Sequence, residues 1–120
     1  MAPEASSGFV NLQFEANRVI CDGGSFELPM PILEAIRIGD RILVIHHHMA
    51  APLNQRTANL VAYSTSGERL WTAENPTAGS AADAYVEFLS ESPLWVGNFN
   101  GFDCRIDPET GGLLEKAFTK

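Results

Sequence analysis

Residues 59 to 72 read Asn59-Leu60-Val61-Ala62-Tyr63-Ser64-Thr65-Ser66-Gly67-Glu68-Arg69-Leu70-Trp71-Thr72. Two short runs of apolar, aromatic and β-branched residues flank a polar connection that ends in glycine. Such side chains pack well on a pleated strand, and a short glycine-containing connection lets two strands fold back on each other. The segment predicts an antiparallel hairpin, and the stretches on either side of it repeat the theme.

Towards the N-terminus, Arg41-Ile42-Leu43-Val44-Ile45-His46-His47-His48 is an unbroken β-branched run, which predicts a central strand buried on both faces. Residues 49–58 carry no apolar period and predict a loop. Gly39-Asp40 turns back into Ile32–Ile38, for which a strand competes with a single helical turn started by Pro31. Pro29 and Pro31 cannot donate ladder hydrogen bonds and mark a break. Before them, Arg18–Cys21 and Ser25–Leu28 flank Asp22-Gly23-Gly24, a strong hairpin signal, and Val10, Leu12 and Phe14 share one face of an earlier strand.

Towards the C-terminus, residues 75–80 form a polar connector containing Pro76. Ala81–Leu89 fits both a helical stripe after Ser80 and a strand; the turn at Ser90–Pro93 and the strands after it favour the strand. Leu94–Phe99, Phe102–Ile106 and Leu113–Phe118 then follow one another through Asn100-Gly101 and through Asp107-Pro108-Glu109-Thr110-Gly111-Gly112, as a meander.

The expected fold is therefore a mainly β single domain of consecutive antiparallel hairpins, barrel-like or sandwich, with about eight to ten strands and at most one short helix. It spans residues 9–120 after a flexible tail at 1–8.

Asn17, Asn59 and Gly101 each open a short strand and lie 42 residues apart, and Gly24, Gly67 and Gly111 recur at similar steps. On Asn59–Trp71, with its Asn-x-x-Ala-aromatic strand, glycine turn and terminal Trp, and on Gly101–Phe118, with its Asp-x-x-Thr-Gly turn, the chain resembles the quinoprotein-type β-propeller repeat. It also resembles small uncharacterised bacterial proteins of about this length, although Phe99 stands where those carry a tryptophan. The resemblance implies propeller-blade-like units. It implies no cofactor, because a quinone would sit in the funnel of a complete propeller and three units cannot close one.

A net charge of −7 repels phosphate backbones and anionic lipid, so neither nucleic acid nor a membrane is an expected partner. Another protein is, and self-association stays open. With no basic and apolar leader at the start, the expected location is the cytoplasm, and Cys21 and Cys104 are expected as thiols.

On a strand, His46 and His48 share a face at a spacing that can hold zinc, copper or nickel, a candidate metal pair without an identifiable third ligand. Asp107-x-Glu109-x-Gly111 lacks the ligands of a calcium loop and is explained by turn geometry. No nucleophile elbow, phosphate loop or dinucleotide fingerprint occurs. Trp95, Asn98, Phe99, Asn100 and Phe102 are the candidate binding surface, since exposed aromatics concentrate at interface hot spots. The sequence points to a non-catalytic binding or interaction module, of an accessory or immunity type. Its alternatives are a metal-dependent or cysteine enzyme using His46 and His48, and a structural subunit of a multi-chain β assembly.

Overall fold

The computed structural model describes residues 12–21, 24–47, 58–76 and 84–118. These residues form eleven strands and no helix: β1 Gln13–Glu15, β2 Arg18–Cys21, β3 Gly24–Glu27, β4 Ile32–Ile38, β5 Arg41–His46, β6 Leu60–Ser64, β7 Arg69–Thr72, β8 Tyr85–Ser90, β9 Trp95–Asn98, β10 Phe102–Ile106 and β11 Leu113–Phe118. The strands exceed the expected eight to ten by one. The helical alternative after Pro31 is replaced by β4, and that for residues 81–89 by β8 from Tyr85 onward. The expected tail at 1–8, His48, the rest of the loop up to Thr57, and residues 77–83 lie outside the described residues.

The strands make three antiparallel meanders, β1-β2-β3, β4-β5-β6-β7 and β8-β9-β10-β11, each pairing only strands adjacent in sequence. They remain three separate sheets, so the expectation of hairpins holds and the barrel-like variant does not. The middle meander is the inner layer of a three-layer stack. Its period-two alternation sends Ile36, Leu43, Ile45, Leu60 and Ala62 into a core shared with Phe88, Val96, Cys104 and Ile106 of the third meander. Ala35, Ile42, Val44, Val61 and Tyr63 go into a second core shared with Val19, Phe14 and Phe26 of the first. Ile42 to Ile45 are accordingly all fully buried, which is why β5 shows no polar alternation.

Successive meanders are joined at their outer edges by the same device. Phe26 on β3 lies against Gly67 in the β6–β7 turn, where a Cβ would come within 3.0 Å of the ring; Trp71 on β7 lies against Gly111 in the β10–β11 turn, where a Cβ would come within 2.5 Å. The Trp71 indole N–H donates to Pro108 O at 3.0 Å. Both glycines have positive φ, 95° and 79°, a region that L side chains avoid.

Near its other end, the middle meander grips the third through polar side chains. Buried Asn59 donates from Nδ2 to Tyr85 O (2.8 Å) and to His46 O (3.0 Å), and its Oδ1 accepts from Tyr85 N–H at 3.0 Å. Its amide thus satisfies both backbone groups of Tyr85 as a neighbouring strand would. Glu34, turned towards the third meander by a bulge after Ile32, accepts from Phe88 N–H at 2.9 Å.

Candidate functional site

On the second-core side of the middle meander, a cavity of about 310 Å³ opens between Pro29, Met30, His46, Ala58, Val61, Tyr63, Arg69 and Thr72. Its polar groups form one directed chain. His46 is the last residue of β5 and is 1% exposed. Its Nδ1 lies 3.0 Å from Met30 O and 3.1 Å from Pro31 O, two groups that can only accept, so Nδ1 carries the proton. Nε2 is then an acceptor and takes the Tyr63 O–H at 2.9 Å. The Arg69 guanidinium lies beside Tyr63 and pulls its phenol pKa down against the larger effect of burial.

Burial holds the His46 imidazole below its ordinary pKa against the pull of the two carbonyls, with Arg69 and His47 lowering it further. Burial likewise raises the Tyr63 phenol. Near neutral pH the cavity therefore contains a neutral imidazole, a neutral phenol and one cation. Among the described residues no carboxylate forms an ion pair with Arg69; the pairs are Arg18–Glu27 and Arg105–Glu115.

Arg69 reaches this cavity because of a β-bulge. Val61 faces Thr72, and Ala62 faces Trp71, but Tyr63 faces Arg69, leaving Leu70 unpaired and 45% exposed. In a regular strand Arg69 and Trp71 would share a face. The extra residue re-aims the guanidinium to Tyr63's side while Trp71 stays on the other.

The buried neutral histidine makes stability depend on pH. Unfolded, His46 takes up a proton as pH falls through about 6.5; folded, it resists to a lower pH, so below 6.5 the unfolded state binds more protons and stability drops. We expect the melting temperature to fall between pH 7.5 and 5.5, above the range where carboxylates titrate, and the slope to flatten in His46→Gln. Equal slopes in both proteins would assign the effect elsewhere.

The residues singled out in the sequence fall in several places. His46 has both ring nitrogens engaged as above, and His48 lies outside the described residues. The described residues contain no cluster of three His, Cys, Asp or Glu side chains with metal-ligand geometry. Cys104 is buried in the core on the opposite side of the middle meander from His46. No disulfide joins it to Cys21, whose Sγ accepts from Arg37 at 3.3 Å.

The five candidate binding residues are not on one face. Trp95, paired with Arg105, is half-buried on the outer face of the third meander. Phe102 pairs with Phe118 on the inner face, with the rings 5.2 Å apart and Lys116 over Phe102. Asn98 is buried, and its side chain accepts from Asn100 N–H at 2.8 Å to shape the turn that exposes Phe99. Asp107 and Thr110 likewise close their own turn on Glu109 and Gly112 N–H groups.

Residues 9–118 match the family model described as Domain of unknown function (DUF7957). No curated protein and no solved structure matches the chain.

Proposed function

We propose, for a chain that belongs to the family Domain of unknown function (DUF7957), a non-catalytic binding role seated in the His46–Tyr63–Arg69 cavity. The observation that carries it is the cavity itself: a concave, mainly apolar space with a few convergent polar groups, at the small end of the ~300–1,000 Å³ of ligand pockets. Binding is favoured over a metal-dependent reaction because the imidazole has no nitrogen left over for a metal. Nδ1–H is spent on two carbonyls and Nε2 on Tyr63.

A self-contained unit is the accompanying reading, with the meanders as three propeller-blade-like layers closed off at both ends. The outer face of the first carries Gln13, Glu15, Arg18, Ser25 and Glu27 beside Ile20, and that of the third carries Glu87, Asp103, Arg105 and Glu115 beside half-buried Trp95. Mainly polar outer faces are what the terminal layers of a stack need. At the position four residues after the turn glycine, where the second unit has Trp71, the third has Glu115, paired with Arg105, so the ring-on-glycine series stops there. This argues against a role as one piece of a larger β assembly.

The test is protein-observed NMR of the amides during titration with a panel of fragment-sized neutral and anionic molecules. The expected result is at least one binder that shifts the Val61, Tyr63 and Thr72 amides and is lost in Ala58→Trp, which fills the mouth from an exposed position. Binders mapping elsewhere, no binders at all, or a fragment converted over time would overturn the reading.

A further inference from the structure

We infer that the cavity takes a small organic carboxylate, its charged end on Arg69 and a compact apolar body against Met30, Pro29 and Val61. This rests on the binding role proposed above and adds the chemistry of the ligand. The donor count decides it. Tyr63 gives its only proton to His46, and His46 gives its only proton to Met30 O and Pro31 O. Neither has a donor left for a ligand. That leaves the N–H groups of Arg69 and the hydroxyl of Thr72.

A guanidinium is a planar fork of five donors that matches a carboxylate with two parallel hydrogen bonds. Arg69 lines the cavity beside Tyr63 and brings that fork to it. A phosphate would bring up to two charges and more acceptor oxygens than one guanidinium and one hydroxyl can satisfy, next to apolar walls that solvate none of them. A neutral apolar ligand would cover the cation without pairing it. A monoanion with a small hydrocarbon body satisfies both halves of the lining. The chain's net charge of −7 makes this isolated cation, without a carboxylate partner among the described residues, a local exception to the field around it.

The experiment is isothermal titration of the full chain with three probes: 4-methylpentanoate, its neutral isostere 4-methylpentanamide, and inorganic phosphate. Each is run on wild type and on Arg69→Gln, whose denaturation midpoint is checked first; Arg69 is exposed, so the variant should fold. The acid should bind wild type about 10-fold or more tighter than the amide, because a hydrogen bond to a charged group is at stake. In Arg69→Gln that preference should vanish while the amide's affinity is unchanged. Equal binding of acid and amide, or a preference that survives Arg69→Gln, overturns the carboxylate and leaves the binding role standing. Phosphate binding tighter than the acid also overturns it. If no probe binds and the fragment panel is equally silent, the binding role itself falls.

Discussion

Asn59→Ala is expected to cost about 3 kcal/mol or more of unfolding free energy, among the largest effects of any single change in this protein. The side chain is fully buried, and its removal takes one hydrogen-bonding partner each from three backbone groups: His46 O, Tyr85 O and Tyr85 N–H. A buried polar group left without a partner costs about 1–3 kcal/mol, and these three lie where the middle and third meanders meet. Asn59→Asp should be no milder. It keeps an acceptor for Tyr85 N–H but loses both donated bonds and buries a carboxylate beside two carbonyls. Denaturant midpoints give the energy and hydrogen exchange gives its place: the Tyr85 amide should lose protection before the β5 amides do. A cost below about 1 kcal/mol would mean that the meanders are joined mainly by the shared apolar core.

Gly111→Ala should be comparably damaging, by about 2–4 kcal/mol, for two separable reasons. The φ of 79° puts an L side chain in the left-handed region, at roughly 1–2 kcal/mol. The new Cβ would also sit 2.5 Å from Trp71 Cε3, and that ring is tied to the same turn by its hydrogen bond to Pro108 O and packed in the core, so overpacking adds roughly 1–3 kcal/mol. Trp71→Leu, which removes the ring, separates the two contributions. Trp71→Leu alone destabilises by loss of packing, but in that background Gly111→Ala should cost only the backbone part. The double-mutant cycle should therefore show a coupling of about 1 kcal/mol or more; strict additivity would show that ring and glycine do not press on each other.

The same contact shows what the chain made legible. Gly67 and Gly111 were readable as turn glycines from their spacing and polar neighbours, and Trp71 as the end of a strand. That each ring lies on the following unit's glycine requires neighbouring meanders to be stacked, which no local pattern states. Phe26 illustrates the point: the first repeat lacks a tryptophan, yet its phenylalanine takes the equivalent place over Gly67.

The candidate site was less legible than the fold. The sequence drew attention to His46 through the run of three histidines, but its three hydrogen-bonding partners come from the Pro29–Pro31 break and from a tyrosine 17 residues further on. Asn59 stood out only as a polar residue opening a buried strand, and its role appears once Tyr85 is beside it.

What the sequence determined by itself was the sequence-local part: strands of period two, hairpins closed by glycine turns, pairing between consecutive strands, and a centre at Ile42–Ile45. These follow from backbone geometry and from the need to bury every second side chain, or both, within a few residues of the turn. The tertiary structure alone decided which core each face entered, how the meanders stacked, and where a cavity was left. It also decided the register of β7, where one unpaired leucine turns Arg69 from Trp71's face to Tyr63's. Periodicity predicts the wrong face for Arg69, because a bulge is set by competition between neighbouring strands for pairing and burial, and that competition exists only once the strands are side by side.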